Sequence, residues 1–299
     1  MTNELTRAIL HYKATLSGGA YIGTCPLCSH HCLVLSAGKK HPVACHCFRD
    51  CPQDALYKLV RTVAEANTPI ATKIPDAPAP KTFTESELFA KLAPAESQRT
   101  TALPFLEQRG ITLAVAQQHR LGVVHIHGCQ RLVLPYLAGT FSEHIFQLRY
   151  RALDPSDDLP KWTCEKIQLG VRRLFNLPLL AGWSPNDVQP LVITESELDC
   201  LMLLSIGIAA CSVDTAYHKL SPRDLAALQT VKYLVLAFDL DEAGNACTAR
   251  FKAALPQAKI LEGFGAKHNV KDLGELRLKV GTEAFAAGLQ RFLQKGKHG

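Results

Sequence analysis

The spacing of apolar positions changes three times along the chain. Residues 1 to about 65 open with a helical pattern around Leu5, Ile9 and Leu10 and close with a second helix, Asp54 to Ala66. Residues 67–81, NTPIATKIPDAPAPK, carry four prolines and no periodic apolar face. Such composition predicts a semi-rigid linker over 67–82. Beyond it, Thr84 to Ala93 predicts a capped helix, and ALPFLEQRGI followed by TLAVAQQHRLGV predicts two short helices separated by Gly110. Val123 to Ile126, Arg131 to Leu137 and His144 to Arg151 predict strands, which makes 83–188 a small mixed α+β subdomain. From Gln189 short apolar runs alternate with helical windows: LVIT, ELDCLMLLS, IAACSV, SPRDLAALQT, KYLVLAF, EAGNACTARFKAAL, KILEG. Strand and helix in alternation predict a parallel sheet of about four strands with helices on both faces over 189–275. The remainder, 276–299, predicts one helix from Leu276 to Lys297. The expected class is therefore α/β.

Composition changes this picture little. At 299 residues the length suits about two domains, and 47% hydrophobic with 20% charged residues is ordinary globular usage. No window offers the ~18 consecutive apolar residues of a membrane span, and Met-Thr-Asn-Glu-Leu lacks a signal peptide's charged start and apolar run. A cytoplasmic protein without membrane partners is expected. A net charge of +6 permits binding to phosphate backbones without requiring it.

Cysteine usage is more telling, because six of the 11 cysteines crowd between Cys25 and Cys51. In CPLCSHHCLVLSAGKKHPVACHCFRDC a first pair, Cys25 and Cys28, is separated by a hairpin-length spacer from Cys45, Cys47 and Cys51. Two knuckles joined by a β-hairpin are a zinc ribbon, whose thiolates close a tetrahedral Zn²⁺ and hold together a fold with too small a core. The expected ligands are Cys25, Cys28, Cys47 and Cys51. Cys45 competes for the third place because Cys47 to Cys51 is C-x3-C, and His30, His31, Cys32 and His46 are substitutes. Asp50 and Asp54 are the local acids and neither sits in a metal-hydrolase motif, so the zinc is expected to be structural.

In an open parallel sheet, chemistry collects outside the carboxyl ends of the strands. The first apolar strand, Leu191 to Thr194, ends in Glu195; the third, Lys232 to Phe238, ends in Asp239-Leu240-Asp241. On extended chain residues i and i+2 share a side, which turns both aspartates into one space and Leu240 away. Such a pair repels itself unless a cation lies between, and hard oxygen ligands favour Mg²⁺. Gly244 then permits close helix packing. The competing reading is that Asp239, Asp241 and Glu242 cap the following helix.

These residues carry a family resemblance. LVITESELDCLML resembles the glutamate motif of TOPRIM domains, LVLAFDLDEAGNA their DxD motif, and KDLGEL the downstream Lys-Asp segment of TOPRIM primases. With a ribbon ending HCFRDCPQDAL, and RLVLPYL, FQLRYRAL and PKW between, residues 20 to about 278 are similar to the primase portion of phage and plasmid primases and primase-helicases, and more distantly to bacterial replicative primases. The resemblance implies Glu195 as catalytic acid or base, Asp239 and Asp241 as the Mg²⁺ pair, and Asp272 as a later acid near the metal, with manganese an alternative ion. It implies contacts to nucleotide and template from Arg149, Arg151 and Lys161, and from Lys271 of the Lys-Asp segment. Ser196 stands where many members have glycine. Asp199 is read as a structural helix residue and Glu197 as a weak auxiliary.

The expected function is a nucleotidyltransferase: a primase joining ribonucleoside triphosphates on single-stranded DNA, for a phage, plasmid or other mobile element. No GxxxxGK[ST] occurs, so unwinding is expected from a separate replicative helicase. The alternatives are a non-catalytic TOPRIM and zinc-ribbon DNA-binding protein, disfavoured by the presence of every acidic position, and a TOPRIM nuclease or topoisomerase, for which no active-site tyrosine motif is visible.

Overall fold

The computed structural model describes residues 2–17, 20–29, 32–37, 42–47, 51–66, 82–126, 128–137, 144–154, 160–167, 173–176, 178–181, 183, 189–262 and 267–295. The proline-rich stretch 67–81, His30, His31, Asp50 and the expected boundary near 188 lie outside the described residues. The chain divides into two compact units, Met1–Lys81 and Thr82–Gly299.

In the first unit α1 (Asn3–His11) is capped by the Thr2 side chain, which accepts from Leu5 N. An antiparallel meander follows, β1 (Thr15–Ser17), β2 (Ala20–Gly23), β3 (Leu33–Ala37) and β4 (Val43–Cys47), and then α2 (Gln53–Ala64). The pair β3 and β4 is the hairpin expected between the cysteine knuckles, with Leu35 opposite Cys45 and Leu33 opposite Cys47. The short strands β1 and β2 have no counterpart in the sequence reading, since three or four residues show no periodicity. Leu5, Ile9, Leu33, Leu35, Leu56 and Val60 close a small core together with Cys45 and Cys47.

The second unit begins with α3 (Glu85–Ser97), held by a capping box between Thr84 and Glu87. It runs past the expected end at Ala93, through Pro94, because Leu92 and Ala95 are both buried there. After α4 (Leu103–Gln108) and α5 (Leu113–Gln118) comes an antiparallel sheet in the order β5 (Gly122–Ile126), β6 (Cys129–Leu137), β7 (Ile145–Ala152), β8 (Trp162–Lys166). The fourth strand escapes the sequence reading because WTCEK is half exposed and lacks alternation. One face of this sheet, Val133, Leu148 and Tyr150, packs on Leu88 and Leu92 of α3. The other, Leu132, Leu134 and Tyr136, joins the main core.

A short α6 (Pro178–Ala181) precedes the parallel sheet, whose order is β10 (Ala210–Ser212), β9 (Leu191–Thr194), β11 (Leu234–Ala237), β12 (Lys259–Ile260). Its strands read as continuous apolar runs because both faces are covered. Val192, Val235 and Ala237 point into the main core with Leu198, Leu201 and Met202 of α7 (Glu197–Ser205). Leu191, Ile193, Leu234 and Leu236 point into a second core with Leu228 of α8 (Pro222–Gln229) and with Cys247 and Phe251 of α9 (Glu242–Ala254). Each such buried leucine contributes about 1.5–3 kcal/mol. The tail is two helices, not the one expected. Gly281, at φ 84°, separates α10 (Leu273–Val280) from α11 (Thr282–Lys295), a conformation that costs glycine little. Phe285 and Leu289 of α11 complete the main core. Among the described residues no helix is long and apolar enough to cross a membrane.

Candidate functional site

The first unit brings four sulfurs together. Cys25 and Cys28 lie in the turn after β2, where Ser29 N donates to Cys25 O. Cys47 ends β4, and Cys51 precedes α2. The Sγ atoms of Cys25, Cys28, Cys47 and Cys51 all lie within 4.8 Å of one another. Cys25 to Cys51 is 4.0 Å and Cys28 to Cys47 is 3.8 Å. A tetrahedron of thiolates at ~2.3 Å from Zn²⁺ has edges of about 3.8 Å, close to the two separations just given, so this donor set suits the ion. Burial and the neighbouring sulfurs push the Cys51 thiol up to about 12, the response of donors that lack a cation. Cys45 is buried in the core and stands outside the group of four, while His46 on the same strand is exposed. Cys32 lies close by, 3.4 Å from Cys28 and 3.3 Å from Cys47.

In the second unit a cleft of about 350 Å³ opens at the carboxyl edge of the parallel sheet. Glu195 follows β9, and the nearby backbone N–H groups of Asp239 and Ala216 favour its ionised form. Its Oε2 is buried without a hydrogen-bond partner. Ser196 caps α7, accepting from Asp199 N at 3.1 Å and donating to Asp199 Oδ2 at 2.9 Å. The Asp199 carboxylate is thereby held in the cleft beside Asp239 and Asp272, a placement that its helical position concealed in the sequence.

The expectation for Asp239 and Asp241 changes in detail. β11 ends at Ala237, so the two aspartates lie beyond the strand, Asp241 with extended backbone as the N-cap of α9. Asp239 lines the cleft, whereas Asp241 caps α9, accepting from Gly244 N at 2.8 Å. Capping and acid clustering therefore coexist at Asp241, whose charge still reaches Glu195 and Asp239. A Cβ on Gly244 would meet Asp239 O at 2.0 Å, so only glycine lets α9 start this close to the strand end. Asp272 likewise caps α10, accepting from Glu275 N at 2.7 Å. Leu240 N donates to Lys271 O at 2.8 Å, tying the stretch between the two aspartates to the Lys-Asp segment.

Burial and mutual repulsion raise the carboxyls of this cluster above the ordinary range. Burial, then Glu195, Asp199, Asp272 and Asp241, push the Asp239 carboxyl up to about 8. Burial and Asp272 push Asp199 up to about 7, and burial and Asp241 raise Glu195. Carboxylate oxygens of this kind suit a hard divalent cation such as Mg²⁺, although among the described residues no three of these acids bring their oxygens within 4.8 Å of one another.

The same cleft is lined by Arg109, Arg149, Arg151, Lys161 and Lys271. Arg109 carries no sequence signal, sitting at the end of a short helix. Arg151 is 3% exposed, and its Nε and Nη1 have no partner. Burial and Arg109 lower it to about 10, while burial, Arg151, Lys271 and Arg109 lower Lys161. Arg149 differs, since it is ion-paired with Glu197, 1% exposed, and donates to Asp214 O at 2.8 Å. Tyr136 OH donates to the same Glu197 carboxylate at 2.5 Å. Trp162 lies beneath both guanidinium groups, 4.4 Å from Arg149 and 5.3 Å from Arg151. Glu197 thus serves Arg149 and not the acid cluster.

Comparison with known proteins agrees with this architecture. Residues 192–276, which carry every acid of the cluster, match the Toprim-like family. Over 99% of this chain and 86% of the other, the fold resembles the zinc-binding and RNA polymerase domains of the Aquifex aeolicus primase, at 14% identity and a TM-score of 0.52. The chain has a primase fold. The Escherichia coli primase catalytic core is similar at 16% identity and a TM-score of 0.50, over 69% of this chain and 79% of that one. The primase fragment of the bacteriophage T7 primase-helicase protein gives 17% identity and a TM-score of 0.45, over 91% of this chain and 96% of that one. No curated protein matches.

Proposed function

We propose that the protein is a DNA primase that joins ribonucleoside triphosphates on single-stranded DNA. The observation that carries this reading is the cleft itself, which Glu195, Asp199, Asp239 and Asp272 line together with Arg109, Arg151, Lys161 and Lys271. Carboxylates able to hold divalent cations, in one cleft with cations free to meet phosphates, are what phosphoryl transfer requires. Bound there, Mg²⁺ would neutralise charge on the transferring phosphate and its leaving pyrophosphate. Asp239, Asp199 and Asp272, with the charge of Asp241 behind them, would hold the divalent ion. Glu195, whose carboxyl is raised by burial and by Asp241, would take the proton of the primer 3′-hydroxyl or hold a second ion. Arg151 meets a phosphate with its unpartnered N–H groups, and Lys161, Lys271 and Arg109 extend that anionic track toward the template.

The cysteine cluster of residues 1–66 serves as a structural zinc ribbon that selects the template, reading exposed base edges of a single strand. Unwinding is left to a separate helicase, and the chain serves a phage, plasmid or other mobile element. Purified protein with single-stranded DNA, Mg²⁺ and labelled ribonucleotides tests the reading: short RNA products made by the wild type and lost in Glu195→Gln support it. Binding of DNA without synthesis under any divalent ion would replace it with the non-catalytic alternative.

A further inference from the structure

Beside the four clustered sulfurs of the ribbon stands a fifth. Cys32 stands outside the group of four, yet its Sγ is 3.4 Å from Cys28 and 3.3 Å from Cys47, nearer to each than they are to one another at 3.8 Å. Cys32 immediately precedes β3, and the pairing of Leu33 with Cys47 fixes it beside the second knuckle. It is buried at 8% exposure, whereas Cys28 is partly exposed. Cys25, Cys28, Cys47 and Cys51 complete a tetrahedral set without it. A third sulfur next to two ligands, at a separation that a shift of ~1.3 Å would turn into a disulfide bond of about 2.05 Å, is the geometry of a resolving cysteine.

We infer that Cys32 makes the ribbon a site of oxidative modification, in which a peroxide converts an adjoining zinc ligand into a disulfide with Cys32 and releases the metal. Cys28, the more accessible of the two neighbours, is the site of first attack. Its thiolate sulfur attacks one peroxide oxygen, the O–O bond breaks, and hydroxide leaves, giving a sulfenic acid. The Cys32 thiolate then attacks that sulfur, the S–O bond breaks, and a second hydroxide leaves. In sum two thiolates give up two electrons to one peroxide, and one disulfide and two hydroxides result. The disulfide no longer offers a thiolate to the metal, and a site reduced to three sulfurs cannot close the tetrahedron that holds this small fold together. A dithiol reductant with zinc reverses the sequence. The inference rests on the reading of the cysteine cluster as a zinc site and is independent of catalysis in the other unit.

The full chain, purified in reducing buffer and then exposed to hydrogen peroxide, provides the test, with zinc release followed by a chromogenic chelator and disulfides mapped by mass spectrometry. Wild type and Cys32→Ser should both start with a full complement of zinc. The wild type should then release it with a disulfide joining Cys32 to Cys28 or Cys47, while Cys32→Ser releases it roughly tenfold more slowly. Cys45→Ser, which alters a core thiol outside the cluster, should behave as wild type. Cys32→Ala repeats the measurement should serine disturb the fold, and the disulfide map of the wild type decides without any variant. Equal release from Cys32→Ser and wild type, or a disulfide that omits Cys32, overturns the inference. Loss of zinc from Cys32→Ser before oxidation also overturns it, by making Cys32 a ligand. A wild type without zinc removes the premise instead, and that outcome is seen before peroxide is added.

Discussion

Replacing Asp239 by asparagine should stabilise the metal-free protein while abolishing synthesis, and the size of the effect follows from the crowding of the cleft. In the fold the Asp239 carboxyl is raised from 3.8 to about 8, first by burial and then by Glu195, Asp199, Asp272 and Asp241. A raised folded-state value means that folding favours the protonated form. Stability from this group is complete below pH 3.8 and is lost as pH rises toward 8, where the unfolded chain has released a proton that the folded one retains. At about 1.4 kcal/mol per pH unit the loss could reach about 5 kcal/mol near neutrality. The neighbouring acids share that repulsion and relax when one of them is neutralised, so about 2 kcal/mol is the expected gain. For a unit of this size that raises the melting temperature by roughly 4–8 °C. Melting curves of Mg²⁺-free wild type and Asp239→Asn, taken near pH 5 and again near pH 8, measure it; the gap should widen at the higher pH. Adding Mg²⁺ should lift the wild type alone, since a ligand stabilises the state that binds it. A variant that melts lower than wild type at both pH values, or gains as much from Mg²⁺, would refute the reasoning and leave Asp239 a structural support of the strand end.

Other outcomes follow from the same contacts. Glu197→Ala should cost about 3 kcal/mol, a melting drop of roughly 6–12 °C, because it strands the buried Arg149 guanidinium and the Tyr136 hydroxyl. Gly244→Ala should lower both melting temperature and synthesis, since its Cβ would press on the Asp239 carbonyl; unchanged melting would show that α9 can shift freely. Cys51→Ser should abolish zinc retention through dialysis as measured by metal analysis, and full retention would remove Cys51 from the ligand set. Deleting residues 1–66 should end initiation at specific template sequences yet preserve extension of a supplied RNA primer, because all the cores of the second unit lie within its own chain. A folded truncation that extends nothing would make the ribbon part of the catalytic assembly.

Much of this organisation was legible before any coordinates. The helix over Glu197–Ser205 and the strand over Leu191–Thr194 coincide with the sequence reading, because a strand buried on both faces must be an uninterrupted apolar run and a capped helix announces its start. Cysteine spacing also marked the metal cluster, since knuckle geometry is local. The chain order alone could not rank Cys45 against Cys47, for both point to the same side of β4, and only the fold of the hairpin puts Cys47 beside Cys28. Nor could it separate Arg149 from Arg151, two residues apart on β7. That distinction arises because Glu197, at the start of α7, pairs with Arg149, while Arg151 in the same cleft keeps two N–H groups without a partner among the described residues. Asp199 looked like an ordinary helix acid, and Arg109 gave no signal, because what draws them to Asp272 and Asp239 is the packing of three helix starts around one sheet edge. Local pattern determined which elements form and which residues carry charge or sulfur. Long-range packing decided which of those charges meet, since electrostatic partners are set by distance in space and by the water that burial removes.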